Sequence, residues 1–120
     1  MSMLTETERG CLERYCALLA ARLPDLVVVR MFGSAARGDM WPADSPMHSD
    51  IDLLVVTREE VPEDVQEELG NETYPLYLEC GRQLSPQFFG EARVAAPPGE
   101  RTRAFLAQVE ADGVDVWSSR

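Results

Sequence analysis

Two runs of branched apolar residues, Leu26 to Phe32 (LVVVRMF) and Asp50 to Thr57 (DIDLLVVT), are each bounded by turn-forming residues. Stretches of this length and β-branched content predict buried strands, and buried strands demand a core to cover them. The chain has the material: at 120 residues it buries roughly two-thirds of its unfolded surface without disulfide or metal staples. A content of 45% hydrophobic and 27% charged residues excludes disorder and fibrous repeats. One domain spanning residues 1–120 is expected.

The remaining elements follow from capping signals and periodicity. Thr5 with Glu8 fits a capping box, and Leu12, Tyr15, Cys16, Leu19 and Leu23 recur on one helical face, so a helix is expected over about Thr5 to Leu23. Gly33-Ser34 breaks the first strand, and Ala35 to Arg37 reads as one helical turn. Gly38 to Ser49 is the most obvious loop, with two prolines and several turn formers. Pro62 to Leu69 reads as a short acidic helix. Tyr74 to Leu84 (YPLYLECGRQL) alternates imperfectly and is expected to form a third strand, bulged at Gly81. Ser85-Pro86 is expected to cap a short helix, followed by a last helix over about Glu100 to Ala111 and a short strand over Val114 to Trp117.

Asp50 and Asp52 project from the second strand to one face, while Ile51 and Leu53 face the other. Two carboxylates held side by side repel, and either a proton or a divalent cation resolves the conflict. An isolated Asp-x-Asp at a strand end is often just two hydrated acids. Gly33-Ser34 alters that reading, because it lies where a buried strand gives way to a helical turn. There free amides attract phosphate, and glycine lets the backbone come close. A lone Gly-Ser is commonly an ordinary turn; the order of strand, Gly-Ser, helical turn, loop and Asp-x-Asp strand is what gives the pair meaning.

Gly33-Ser34-Ala35-Ala36-Arg37-Gly38 followed by Ser49-Asp50-Ile51-Asp52-Leu53-Leu54-Val55-Val56 resembles the minimal nucleotidyltransferase (MNT) family of the DNA polymerase beta-like superfamily. The resemblance covers nearly the whole chain. It implies an α/β (α+β) fold, a small mixed sheet with helices packed on it. It also implies two Mg²⁺ ions between acidic side chains and a nucleoside triphosphate, with Gly33 and Ser34 holding the triphosphate and Asp50 and Asp52 ligating metal. A third carboxylate comes from the following strand in that family, as metal ligand or general base. Glu79, the only acid inside Tyr74 to Leu84, is the candidate, although a glutamate followed by Cys80 departs from the family's aspartate in a regular strand. The loop before Asp50 is also longer than usual. If Glu79 faces elsewhere, the site keeps two ligands and binds nucleotide with little turnover.

The implied chemistry is in-line attack of a hydroxyl on the α-phosphorus of ATP, releasing pyrophosphate. Stand-alone members of the family resemble antitoxins paired with HEPN toxins, which they inactivate by moving AMP to a tyrosine. With no room in 120 residues for an acceptor-recognition domain, a partner is expected to bring the acceptor. Two other readings stay open: an antitoxin that neutralises its toxin by binding, and a nucleotidyltransferase acting on an antibiotic hydroxyl.

Other residues carry two readings each. Arg37, one turn after Ser34, and Arg82 are within conceivable reach of a phosphate, or are surface arginines paired with some of the 21 acids. His48 reads as a polar loop residue or a substrate contact. Met40, Trp41 and Met47 either cover a base, meet a partner or pack on their own domain. The acidic stretch Glu59 to Glu72 is a solvated face. The formal charge of −10 argues against a nonspecific grip on nucleic acid or anionic membrane. Cys11, Cys16 and Cys80 are too few for a disulfide framework and read as small buried residues of a protein in a reducing compartment. An acidic N-terminus and the lack of a membrane-length apolar run complete the expectation of a cytoplasmic protein.

Overall fold

The computed structural model describes residues 4–41 and 49–119. Its frame is a four-stranded mixed sheet in the order β3-β2-β1-β4, built from β1 (Leu26–Phe32), β2 (Ile51–Thr57), β3 (Leu84–Gly90) and β4 (Val114–Ser118). β1 runs antiparallel to both β2 and β4, and β2 runs parallel to β3. The two apolar runs of the sequence are thus the two central strands, as their composition predicts.

The first helix, α1 (Glu6–Arg22), begins at the predicted capping box. The Glu8 amide donates to the Thr5 hydroxyl at 3.1 Å, and the Thr5 amide donates to Glu8 Oε1 at 3.0 Å. Its inward face packs Leu12, Tyr15, Cys16 and Leu19 against Val29, Met31, Ile51, Leu53 and Val55 of the central strands. The Tyr15 hydroxyl donates to Leu69 O at 2.8 Å, so the largest buried side chain of α1 leaves no polar atom unpaired.

α2 (Ser34–Arg37) follows β1 directly, and α3 (Glu63–Asn71) follows β2 with Glu63 and Asp64 in its first turn, where acids suit the helix dipole. The opposite face of the sheet, with Phe32, Leu54, Val56 and Phe89, is covered by α5 (Glu91–Ala95) and α6 (Gly99–Asp112) through Val94, Phe105, Leu106 and Val109. Both faces are therefore sealed. This explains why β2 is apolar at nearly every position after Asp52.

The segment expected to be the third strand is instead α4 (Thr73–Cys80), ended by Gly81 in the left-handed conformation at φ 74°. Its inward residues, Thr73, Leu76 and Cys80, are spaced for a helix, whereas exposed Tyr74 and Leu78 imitate strand alternation. The true third strand is LSPQFFG. Ser85-Pro86 lies inside it rather than capping a helix, and Pro86 is tolerated because β3 is an edge strand with one side unpaired. The predicted last helix and last strand both form, with their ends within a residue or two of expectation.

Cys11 and Cys16 are buried as expected, and burial pushes the Cys16 thiol up to about 11. Cys80 is only half-buried. Among the described residues no helix is long and apolar enough to cross a membrane.

Candidate functional site

β2 alternates as its pleat requires. Ile51, Leu53 and Val55 enter the α1 side of the core, and Leu54 and Val56 enter the other. Asp52, in register with Phe32 of β1 and Ser85 of β3, therefore shares the second face. Asp50, two residues earlier, continues that face at the strand's entrance. The two carboxylates stand together at the end of the sheet where β1 turns into α2.

That turn is made by Gly33 at φ 73° and ψ −152°, a region essentially reserved for glycine. A Cβ there would lie 2.7 Å from Asp52 Oδ2. The backbone of the Gly33-Ser34 corner thus abuts the carboxylate, which is the close approach that the sequence order implies. The first amides of α2 have no partners within the helix, as in any first turn. Burial and the neighbouring Asp50 charge push the Asp52 carboxyl above its ordinary range, with Arg37 opposing them. A divalent cation between the two aspartates would relieve that conflict. Asp50 is in turn held by Ser85, whose hydroxyl donates to Asp50 Oδ2 at 2.9 Å.

Glu79 does not join them. It lies on α4 instead of a strand beside β2, is 54% exposed, and forms an ion pair with Arg14 of α1 at 2.5 Å. The hydrogen bond from Arg14 holds its carboxyl below the usual range. The expectation of Glu79 as third carboxylate is corrected on this ground: a helix, not a strand, presents it, and that helix packs on α1. β3 itself contains no acid, and among the described residues no cluster of three or more His, Cys, Asp or Glu side chains is arranged to hold a metal. Two carboxylates and a nearby hydroxyl fit one hard divalent ion sharing its shell with phosphates; they do not fit two ions held by the protein alone.

Arg82 is also corrected. It is buried, donates to Glu8 Oε2 at 3.1 Å, and donates through Nη1 to Trp41 O at 2.9 Å and Ser49 O at 2.8 Å. Its Nε and Nη1 are engaged by the protein, and it is structural. The Trp41 amide donates to the Ser49 hydroxyl at 3.1 Å, so the two stems of the loop before Asp50 are fastened to each other as well as to Arg82. Nothing local in the sequence announces this fastening, since Glu8 and Arg82 are 74 residues apart.

Arg37 lies close enough to Asp52 to oppose part of the rise in its pKa, and it bridges Asp39 at 3.2 Å and Asp112 at 2.9 Å on the surface. Met40 packs in the core, which settles its reading, whereas Trp41 is 54% exposed at the loop's stem. Met47 and His48 lie outside the described residues.

A family model for the nucleotidyltransferase domain matches residues 16–89, which takes in β1, the Gly33-Ser34 corner, both aspartates and all but the last residue of β3. No curated protein matches the sequence. Among solved structures, a toxin–antitoxin complex with AMP-PNP is 17% identical, covers 93% of this chain and 74% of that chain, and superposes with a TM-score of 0.63. A substituted form of the toxin–antitoxin pair MntA–HpeT is 19% identical over 91% of this chain and 73% of that one, with a TM-score of 0.62. The complex of a tri-AMPylated HEPN toxin with its MNT antitoxin from Shewanella oneidensis is 16% identical over 92% and 72%, with a TM-score of 0.58. At these identities the likeness establishes the fold, and it is the polymerase beta-like fold expected from the sequence.

Proposed function

The chain belongs to the nucleotidyltransferase domain family, and from that membership we propose that it is an antitoxin which binds Mg·ATP between the Gly33-Ser34 corner and the Asp50–Asp52 pair and transfers AMP to a hydroxyl of a HEPN-type toxin. The observation that carries this reading is the 2.7 Å that would separate a Cβ on Gly33 from Asp52 Oδ2, which sets the backbone of the turn directly against a carboxylate able to share a cation. Support for the partner comes from three similar structures, each of which is a toxin–antitoxin complex, one with AMP-PNP and one with an AMPylated toxin.

In this reading Asp50 and Asp52 hold the divalent ion. Mg²⁺, when bound, neutralises charge on the phosphates and on the departing pyrophosphate. Gly33 and Ser34 orient the triphosphate, and Ser85 fixes the Asp50 carboxylate so that the pair need not reorganise as the nucleotide binds. Arg37 faces a phosphate after exchanging its surface aspartates. The acceptor oxygen bonds to the α-phosphorus as the bond to the β-phosphate oxygen breaks. Pyrophosphate leaves, and the hydroxyl proton passes to solvent. A tyrosine hydroxyl on the toxin is the proposed acceptor, and the cytoplasm the proposed compartment.

A second reading, neutralisation by binding alone, is favoured by one specific observation, the absence of an acid from β3. One experiment separates the two. The purified chain is incubated with Mg·ATP and the protein encoded next to it, and intact mass is recorded. AMP transfer adds one or more AMP units to the partner, and Asp52→Ala adds none. A stable complex with no added mass supports the binding reading.

A further inference from the structure

β3 runs parallel to the end of β2 that carries the aspartates, and the register decides which of its residues faces them. Asp52 pairs with Ser85, and on that face β3 continues with Gln87 and Phe89. Ser85 is therefore the one β3 side chain abreast of the carboxylates, and its hydroxyl donates to Asp50 Oδ2 at 2.9 Å. We propose that Ser85 occupies the third corner of the nucleotide cradle, so that this chain binds one divalent ion with its nucleotide where a carboxylate at the same place would hold two.

The proposal deepens the proposed function and rests on it. Its physical basis is charge. Asp50 and Asp52 together offset one doubly charged cation, while a serine hydroxyl is neutral and spends its proton on Asp50. Among the described residues no further acid joins the two aspartates in a metal-holding cluster. Glu79 is tied to Arg14, and Glu60 is tied to Arg93 and the Gly90 amide. In this arrangement Ser85 is a positioning residue for Asp50. Its replacement by aspartate would raise the negative charge at the site.

The test is a Mn²⁺ titration followed by the paramagnetic resonance signal of the free ion, with the full chain saturated by AMP-PNP. Wild type is expected to take up one ion per chain and Ser85→Asp two, with the AMP-transfer rate rising in the variant. Ser85→Ala is expected to keep one ion at an affinity about 10-fold weaker, because Asp50 loses its orienting donor. Two ions in wild type overturn the proposal, as does a folded Ser85→Asp that still takes one. If Ser85→Asp fails to fold, the wild-type count and Ser85→Ala still decide: Ser85→Ala binding Mn²⁺ as tightly as wild type removes the positioning role. A wild type that binds neither Mn²⁺ nor AMP-PNP refutes the nucleotide-binding function itself, a result distinct from binding two ions.

Discussion

Arg82 and Glu8 meet at 3.1 Å with about 4% of either residue exposed, joining the start of the first helix to the segment that leads into the edge strand. Glu8 serves two partners at once, accepting from the Thr5 amide through Oε1 and from Arg82 through Oε2. Arg82 donates through Nη1 to the carbonyls of Trp41 and Ser49. A guanidinium this deeply buried is stable only beside a counter-charge and hydrogen-bond acceptors.

Removing the guanidinium while keeping its partners should therefore be costly. Arg82→Met is expected to destabilise the chain by about 3–5 kcal/mol, because it leaves the Glu8 carboxylate buried without its counter-charge. A urea melt measures the loss. The double variant Arg82→Met/Glu8→Met should recover part of it, and a simple sum of the two single losses would contradict the coupling.

Gly33→Ala tests the corner from the backbone side. The φ of 73° with ψ −152° costs a residue bearing a Cβ on the order of 1–3 kcal/mol, and that Cβ would also press on Asp52 Oδ2. The variant should stay folded by circular dichroism with a lowered melting temperature, and calorimetry should show its Mg·ATP affinity lost. Wild-type affinity in the variant would contradict the close approach of the turn to the nucleotide.

Asp52 gives stability a pH dependence of definite sign. Its folded-state pKa lies above the ordinary 3.8, chiefly through burial and then through Asp50, so the folded chain binds the proton more tightly than the unfolded one. Stability attributable to Asp52 is therefore greatest below the unfolded value and declines as pH rises through the raised folded value. Asp52→Asn should remove that decline. In urea titrations its advantage over wild type should be absent near pH 3 and grow toward neutrality, and Mg²⁺ should narrow the gap by stabilising wild type alone.

Glu79→Gln provides the contrast. The side chain is half-exposed and engaged with Arg14 on the surface, so the substitution should leave nucleotide affinity and AMP transfer unchanged. A collapse of either in this variant would restore Glu79 to the site.

How far the sequence carries the structure can be judged from these same residues. The face shared by Asp50 and Asp52 is legible, because a period of two is enforced by the strand and the alternate positions are apolar. The Thr5–Glu8 cap is legible because it is made within a single turn. Glu79 is misplaced because α4 leaves Tyr74 and Leu78 in solvent, which hides the inward spacing of Thr73, Leu76 and Cys80. Ser85 is missed for a related reason: Pro86 beside it argues against a strand, and only the knowledge that β3 lies at the sheet's edge removes the objection. Arg82 has no local signature, since its partners are distant in the chain and only the fold brings them together.

Trp41 is fastened to Ser49 both directly and through Arg82. With both stems anchored, the number and identity of the residues between them are uncoupled from the placement of Asp50. That interval is a cassette. A protein engineer can lengthen or exchange it and expect Asp50 to keep its place at the mouth of the strand.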